Sequence, residues 1–272
     1  MFDWKNVYGK GDVAELELPK VSVIIPTYQS AEKIGTTLES LVAQDYPDFE
    51  VIVIDAGSQD RTLEIVKGMR NTRIQVYTVT GYQRYEMLNK GISLATGTYI
   101  GFLFPGDYYL SLFTLRWIMN LAVQQQRPPM VYCGTLLRDG KSEVKVLYRP
   151  LDIKLLRHGQ QPSSLQSCWF HQAVFAQIGK FDTRYAMRGG FELLCRFVNS
   201  GLTAHSLYRV LTDYDLRASS RHMLLQHFVE TGHIVRRYFG WWAYLSWLFR
   251  QHDTRRIFNS WARSIKIAFI GN

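Results

Sequence analysis

Seven candidate ligand-binding residues stand at or shortly after the ends of four apolar stretches within the first 110 residues of the chain. In chain order, these residues are Pro26, Thr27, Tyr28, Asp55, Arg84, Gly106 and Asp107. Together they offer an aromatic ring, two carboxylates and a basic side chain. This set suits a nucleotide diphosphate with Mg²⁺ or Mn²⁺, because these hard cations prefer oxygen ligands and bridge phosphate groups.

Each carboxylate also has an ordinary structural interpretation. Asp55 lies in Asp-Ala-Gly-Ser and Asp107 follows Pro-Gly, and both contexts are typical of aspartates that stabilise turns. Neither GxGxxG after the first apolar stretch nor GxxxxGK[ST] occurs in the sequence, so a glycine-rich phosphate loop is not expected. A metal ion is the substitute that we expect to neutralise phosphate charge.

The elements that must position these residues alternate between strands and helices. VSVIIP, EVIVID, RIQVYTV and TYIGFLF are apolar runs typical of buried strands, and the segments between them repeat apolar residues at helical spacing. This alternation predicts βαβ units with a mainly parallel sheet over residues 20–110, where ligands bind at the carboxyl ends of the strands. After residue 110, a hairpin around Arg138-Asp139-Gly140-Lys141 and further mixed elements are expected to join the same sheet.

Composition places the basic charge at one end of the chain. The 272 residues carry a formal charge of +9, and residues 217–272 hold nine Lys or Arg against two acidic residues, which is +7. Three cysteines without a CxxC motif indicate a reducing compartment. The start of the chain lacks the apolar core of a signal peptide, and no apolar run has the ~18 residues of a spanning helix.

The last segment combines arginines with aromatic residues. Four of the seven tryptophans lie in RRYFGWWAYLSWLFRQHDTRRIFNSWARSIKIAFIGN, from residue 236 onwards. Basic and aromatic helices of this length are typical of contact with an anionic membrane surface. A helical cap on the sheet, an oligomer interface and single-stranded nucleic-acid binding are the alternatives, and no nucleic-acid motif supports the last.

Two long segments carry a resemblance to a known family. They are VSVIIPTYQSAEKIGTTLESLVAQDYPDFEVIVIDAGSQDRT and YEMLNKGISLATGTYIGFL. The chain resembles the nucleotide-sugar domain of family-2 glycosyltransferases of the GT-A fold over residues 20–110. A weaker similarity to the family's acceptor half continues through HQAVFAQIGKFDTRYAM and FELLCRF. The resemblance implies an α/β fold with a mainly parallel central sheet flanked by helices.

The resemblance also implies roles for individual residues. The residues after the first strand and Asp55 would hold the nucleoside, and Asp107 would hold the metal on the diphosphate. Asn89 and Lys90, spelled Asn-Lys-Gly as in the family, would reach the diphosphate or the sugar. The family motif at the fourth strand has Asp-x-Asp or Asn-x-Asp-Asp, whereas this chain reads Phe-Pro-Gly-Asp and keeps only the last acid.

The acceptor side departs further from the family pattern. The acidic pair that supplies the family's catalytic base falls on Gly189 and Gly190, and Glu192 is the nearest carboxylate. Glu192 is therefore the candidate base, although it can equally be an i,i+4 partner of Arg196. The reserve candidates are Asp182, Asp213 and Asp215. His171 and Gln172, in a stretch that the family shares, are candidates for the acceptor side.

We expect a glycosyltransferase of hexosyltransferase type that moves a sugar from a nucleotide-diphospho-sugar to a glycan or lipid-linked acceptor. Its residues 1–216 would form the GT-A domain, with 20–110 as the nucleotide-sugar half and 111–216 as the acceptor half. Residues 217–272 would form a helical extension on the inner face of the cell membrane, in the cytoplasm. The alternative is a catalytically degenerate domain that binds a nucleotide-sugar or glycan without turnover. The resemblance implies inversion at the anomeric carbon.

Overall fold

A computed structural model of the protein describes residues 17–138, 145–215 and 221–250. Its strands are β1 Val21–Thr27, β2 Phe49–Asp55, β3 Ile74–Thr78, β4 Tyr99–Phe102, β5 Met130–Arg138, β6 Lys145–Leu147, β7 Cys168–His171 and β8 Ala204–Asp215. Its helices are α1 Ile34–Val42, α2 Thr62–Gly68, α3 Arg84–Leu94, α4 Thr114–Gln124, α5 Ile153–Arg157, α6 Gln172–Ile178, α7 Gly189–Asn199 and α8 Arg221–Arg250.

The eight strands form one sheet in the order β3-β2-β1-β4-β7-β5-β6, with β8 paired to β5. Strands β3, β2, β1 and β4 are parallel, as the βαβ pattern predicts. Strand β7 runs antiparallel to β4 and to β5, while β8 runs parallel to β5. The predicted α/β fold with a mainly parallel central sheet is thus confirmed, and both halves of the chain share that sheet.

Helices cover both faces of the sheet, so the central strands are apolar on each side. Successive residues of β1 point into different cores, because side chains alternate across a strand. Ile24 belongs to the core beside α3 and α7, and its neighbour Val23 belongs to the core beside α1 and α4. This double burial explains the continuous runs VSVIIP and EVIVID, which show no polar alternation.

The predicted hairpin is present as the antiparallel pair of β5 and β6, and its turn lies outside the described residues. The helix predicted at FELLCRFVNSG is α7. Helix α4, which the sequence analysis does not assign, crosses from β4 to β5 and buries Leu115, Ile118 and Met119.

Helix α8 is broken at Gly240, whose φ of 83° is outside the helical range. The segment after the break returns along the first part, so the ring of Trp247 lies 4.7 Å from that of Phe228. Ile234 and Val235 are fully buried in the same core as Phe197 of α7. The described part of the predicted extension therefore packs on the domain, and residues 251–272 lie outside the described residues.

Within the described residues, no helix has both the length and the apolar character needed to cross a bilayer.

Candidate functional site

An open cleft of about 600 Å³ lies at the carboxyl ends of β1 and β4. Ligands of open α/β sheets bind at this edge. Residues from β1 to the start of α1, from the loops after β2 and β3, and from the loop after β4 line the cleft. They are Pro26, Thr27, Tyr28, Gln29, Ser30, Ala31, Glu32, Lys33, Asp60, Tyr82, Arg84, Met87, Phe104 and Pro105. Four of the predicted donor-binding residues, Pro26, Thr27, Tyr28 and Arg84, are among them.

The loop after β1 is fixed to the loop after β2 by a set of hydrogen bonds. The amide of Gln29 donates to Oγ of Ser58 at 3.0 Å, and the amide of Ala31 donates to Oδ2 of Asp60 at 3.0 Å. In return, the amide of Asp60 donates to Oε1 of Gln29 at 3.1 Å. One wall of the cleft is consequently held in place before any ligand binds.

Asp55 organises this wall from beneath. Its carboxylate is fully buried, and Oδ2 accepts hydrogen bonds from the amides of Gly57 and Ser58 at 2.9 and 2.8 Å. Its Oδ1 accepts a third bond from the Ser58 hydroxyl at 2.6 Å. Asp55 does not line the cleft, so the structure gives it a positioning role through Ser58. Its predicted contact with the nucleoside stays a prediction.

Thr27 carries a polar atom with no partner at the floor of the cleft. Thr27 is 2% exposed, and its Oγ1 is buried without a hydrogen-bond partner among the described residues. A buried hydroxyl without a partner costs free energy that a ligand's hydrogen bond would recover. This orphaned hydroxyl is the feature of the cleft that points most directly to a ligand.

Two tyrosines form an aromatic platform at the mouth of the cleft. The rings of Tyr28 and Tyr82 lie 5.5 Å apart at an interplanar angle of 16°, so they stack. Both are exposed, with Tyr82 73% accessible to solvent. Exposed stacked rings offer a face for a planar aromatic group. Tyr82 stands in the segment that follows the third predicted strand, but nothing in its spacing marks it as the partner of Tyr28.

Two cationic side chains line the cleft. The guanidinium of Arg84 lies 4.8 Å over the ring of Phe104, which stands where the Asn-x-Asp-Asp form of the family motif has its asparagine. Lys33, at the N-cap of α1, has a side chain that is 44% exposed, and its Nζ is 4.0 Å from Oδ2 of Asp215. The sequence does not mark Lys33 as a candidate, because a lysine at the start of a helix has no distinctive pattern.

Asp107 points away from the cleft and into the protein. It is 2% exposed, and its Oδ2 accepts a hydrogen bond from Nε2 of Gln166 at 2.6 Å. Its Oδ1 accepts a second from the amide of Asp215 at 2.9 Å. Burial raises the pKa of Asp107 to about 7, and the nearby charges of Asp213 and Asp215 add to this effect.

Arg138 occupies the centre of this acidic cluster. Its guanidinium contacts Asp213 at 2.6 Å and Asp215 at 3.6 Å, and it also donates to the carbonyl of Gly106 at 3.1 Å. These carboxylates raise the pKa of the Arg138 guanidinium further above its usual value. The Gly106 turn, with φ at +97°, is thus tied to a cation of the protein itself.

The residues present do not fit the predicted divalent cation. Both oxygens of Asp107 accept N–H donors, and the neighbouring carboxylates of Asp213 and Asp215 face the guanidinium of Arg138. Over residues 17–138, 145–215 and 221–250, no cluster of three or more His, Cys, Asp or Glu side chains could hold a metal ion. The metal role of Asp107 stays a prediction that this geometry does not support.

Glu192 lies on α7, outside the residues that line the cleft. It is 1% exposed, and its oxygens accept hydrogen bonds from Arg196 at 3.1 and 2.8 Å and from the hydroxyl of Tyr238. Arg196 in turn donates to the carbonyls of Ile178 and Lys180. The i,i+4 alternative thus describes the observed contacts, and the catalytic role of Glu192 stays a prediction without geometric support.

Gly189 and Gly190 begin α7 against Tyr85. A Cβ at Gly189 would stand 2.8 Å from the Tyr85 ring, so an acidic side chain does not fit there. The preceding loop is held by Glu230 of α8, which accepts the amides of Ala186, Met187 and Arg188 at 3.0, 2.9 and 2.8 Å. The extension is thereby attached to the segment where the family carries its acidic pair.

Asn89 does not reach the cleft. Its side chain pairs with the backbone of Phe181, donating to the carbonyl at 2.9 Å and accepting the amide at 2.9 Å. Lys90, next to it on α3, is exposed and also lies outside the cleft lining. Their expected contact with the diphosphate or sugar is therefore a prediction that this geometry does not support.

His171 and Gln172 lie at the opposite edge of the sheet from the cleft. His171 pairs with Tyr99, the first residue of β4, and the amide of Gln172 donates to the carbonyl of Thr98. Because β7 runs antiparallel to β4, its carboxyl end meets the amino end of β4. Nδ1 of His171 accepts the amide of Ala173, which makes it a helix cap. The expected acceptor-side role is thus corrected to a structural one.

Comparison with known proteins points to one family. Residues 22–103 match the family model described as glycosyl transferase family 2. The chain resembles this family over that segment. It is a glycosyltransferase, as the sequence analysis predicts. The match covers β1 to β4 and every residue that lines the cleft except Phe104 and Pro105.

Curated relatives of this glycosyltransferase agree in type. It is 26% identical over 201 residues to a PGL/p-HBAD biosynthesis glycosyltransferase of Mycobacterium tuberculosis, covering 72% of this chain and 77% of the relative. It is 30% identical over 192 residues to an uncharacterized glycosyltransferase of Rickettsia typhi, covering 66% and 59% respectively.

Solved structures share the GT-A fold. TarS of S. aureus in complex with UDP-GlcNAc has a TM-score of 0.65 at 21% identity, covering 80% of this chain and 66% of that one. TarS in complex with UDP has a TM-score of 0.63 at 20% identity. That likeness covers 80% of this chain and 64% of the TarS chain, which is slightly less than two thirds. A mannosyltransferase of Pyrobaculum calidifontis in complex with GDP-Man and Mn²⁺ has a TM-score of 0.59 at 19% identity, covering 95% of this chain and 84% of that one.

Proposed function

We propose that this glycosyltransferase takes a sugar from a nucleotide-diphospho-sugar bound in the cleft and transfers it to a hydroxyl of a glycan or lipid-linked acceptor. The observation that carries the proposal is the orphaned hydroxyl of Thr27 at the floor of a cleft with an aromatic platform and two cations. The nucleoside would stack near Tyr28 and Tyr82, and the diphosphate would lie towards Lys33 and Arg84. The nucleotide-sugars bound by TarS and by the Pyrobaculum mannosyltransferase support this class of donor.

In the proposed reaction, an acceptor oxygen forms a bond to the anomeric carbon while the bond from that carbon to the diphosphate breaks. Attack from the opposite face inverts the anomeric centre, and inversion rests on the family resemblance alone. The acceptor proton passes to a general base, whose efficiency depends on reach and pKa. Of the reserve candidates, Asp182 is bound by Arg184 and Arg237, and Asp213 is bound by Arg138. We therefore assign no residue to the base.

The resemblance implies Mg²⁺ or Mn²⁺ as cofactor, and a divalent cation would stabilise the leaving diphosphate. Since the donor set around Asp107 does not fit such an ion, no step of the proposed reaction depends on it. Titration with a nucleoside diphosphate in EDTA and in MnCl₂ tests whether donor binding needs a cation.

Binding without turnover is the second candidate, and two observations favour it. Gly189 has no room for an acidic side chain, and Glu192 is held by Arg196 and Tyr238. In this alternative the same cleft binds the nucleotide-sugar, but the acceptor hydroxyl is not activated.

We also propose that helix α8 lies on an anionic membrane surface on the cytoplasmic side. Trp241, Trp242 and Phe249 are 61%, 85% and 64% exposed beyond the break at Gly240. Arg236 lies 4.8 Å over the Trp241 ring, so positive charge accompanies the aromatic surface. Aromatic side chains with arginines suit the boundary between lipid head groups and acyl chains. A lipid-linked acceptor would be presented at such a surface.

The test of the donor site is release of nucleoside diphosphate by the purified full chain with a panel of UDP- and GDP-sugars. Tyr82→Ala removes half of the aromatic platform, and Tyr208→Ala is its control, because Tyr208 is 87% exposed in a ring pair outside the cleft. We expect Tyr82→Ala to weaken donor use roughly 5- to 150-fold, from a stacking contribution of about 1–3 kcal/mol. Equal activity of both variants would contradict the placement of the donor. Donor binding without release would favour the second candidate.

A further inference from the structure

The turn after β4 differs from its family counterpart in more than its missing acids. Its remaining acid, Asp107, is turned inward and bound by Gln166 and by the amide of Asp215. On its outer side the turn presents Gly106, whose φ of +97° favours glycine. The surface that would face a diphosphate therefore carries no carboxylate from residues 104–106.

The side chain of Lys33 fills the space over this turn. A Cβ added to Gly106 would lie 3.3 Å from Cδ of Lys33, so the lysine stem crosses the glycine in van der Waals contact. The ammonium group ends 4.0 Å from Oδ2 of Asp215, beyond hydrogen-bond distance, and the side chain lines the cleft. An amino group thus stands beside the turn that holds the metal in the family pattern.

Arg138 supports this arrangement from below. It is bound to Asp213, to Asp215 and to the carbonyl of Gly106, so it neutralises the buried carboxylates and fixes the turn. Lys33 therefore shares Asp215 with Arg138, which lies closer to that carboxylate, at 3.6 Å against 4.0 Å.

A diphosphate that enters the cleft would compete favourably with Asp215 for the ammonium group of Lys33. The ammonium has three donors on a flexible stem, and lysine commonly binds phosphate as a point charge. Its interaction with Asp215 at 4.0 Å is a partly exposed ion pair, and such pairs contribute little. Arg84, on the same cleft, supplies a second positive charge.

We propose that Lys33, held over the Gly106 turn, binds the diphosphate of the donor and supplies the positive charge for which the family uses a divalent cation. This inference rests on the proposed function, since it concerns the donor of that same cleft. It predicts that nucleoside diphosphates bind in the presence of a chelator, and that Lys33 distinguishes them from nucleosides without phosphate.

The experiment is calorimetric titration of the full chain with UDP and GDP, and with uridine and guanosine, in EDTA and in MnCl₂. Lys33→Met keeps the unbranched stem over Gly106 and removes the charge, and Lys33→Arg keeps the charge. Lys67→Met is the matched control, since Lys67 is an exposed lysine of α2 outside the cleft. Thermal unfolding of each variant checks that the fold is retained.

We expect the nucleoside diphosphate to bind equally in EDTA and MnCl₂, and Lys33→Met to weaken it about 10-fold or more, as loss of a charge-assisted hydrogen bond implies. Lys33→Arg and Lys67→Met should bind within about 3-fold of the parent, and nucleoside binding should be unchanged throughout. Binding that disappears in EDTA, or an unchanged affinity in Lys33→Met, would overturn the inference while leaving the donor site intact. Failure of every nucleotide to bind under either condition would instead count against the proposed function.

Discussion

Replacement of Glu192 by glutamine separates a structural role from a catalytic one. The carboxylate is 1% exposed and accepts two hydrogen bonds from Arg196 and one from the Tyr238 hydroxyl. Glutamine keeps the volume but removes the charge and turns one acceptor into a donor that faces other donors. Arg196, whose side chain is only 22% exposed, would lose its counter-ion.

The expected loss of stability is large for a single substitution. Breaking a buried pair by removing one partner costs about 3–5 kcal/mol, and an isosteric amide that keeps one acceptor lies at the low end. We therefore expect the free energy of unfolding of Glu192→Gln to fall by about 3 kcal/mol. For domains of this size, that corresponds to a fall in Tm of roughly 6–12 °C.

The assay is thermal and urea unfolding of the parent and of Glu192→Gln, with nucleoside diphosphate release measured well below either Tm. Glu64→Gln is the matched control, since Glu64 forms an exposed i,i+3 pair with Arg61 and should unfold like the parent. Activity per folded molecule of Glu192→Gln should stay close to that of the parent. A loss of activity of about 10²-fold or more with an unchanged Tm would refute this reasoning, because that is the signature of a general base.

The remaining predictions concern pH, the start of α7 and the extension. Because the pKa of Asp107 is about 7 in the folded chain, against ~3.9 unfolded, deprotonation opposes folding as pH rises. The free energy of unfolding should therefore fall by at most about 4 kcal/mol between pH ~4 and ~7 as Asp107 loses its proton. Urea unfolding of Asp107→Asn at the same pH values should not show this fall. Gly189→Ala should lower the Tm by several degrees, since its Cβ would meet the Tyr85 ring at 2.8 Å, whereas Gly190→Ala has 3.6 Å and should be tolerated better. Trp242→Ser should reduce co-sedimentation with vesicles that contain phosphatidylserine, whereas Tyr208→Ser should not; equal binding would contradict contact through α8.

The first half of the fold could be predicted because its signals are local. Runs such as VSVIIP are buried on both faces, and amphipathic segments between them produce the βαβ order with its ligand edge. The same reasoning brings Pro26, Thr27, Tyr28 and Arg84 together, since strand ends of a parallel sheet meet at one edge, and all four line the cleft.

Long-range contacts decide the parts that could not be predicted. The direction of Asp107 depends on Gln166 and on the amide of Asp215, which are far away in sequence. His171 lies at the end of the sheet away from the cleft because β7 runs antiparallel to β4, a direction that cannot be inferred from its sequence. Lys33 lies over the Gly106 turn, which is about 70 residues away in sequence. The sequence pattern thus predicts where a site lies, while contacts between residues that are distant in sequence determine which atoms face the site.

We propose that the cleft at the ends of β1 and β4 binds the nucleotide part of the donor. A crystal structure of the full chain soaked with UDP or GDP would show where the nucleotide lies. We expect a nucleoside beside Tyr28 and Tyr82 with a hydrogen bond to the Thr27 hydroxyl, and a diphosphate in contact with Lys33. A nucleotide bound elsewhere, such as in the cavity of about 320 Å³ between Phe228 and Trp241 of α8, would contradict it.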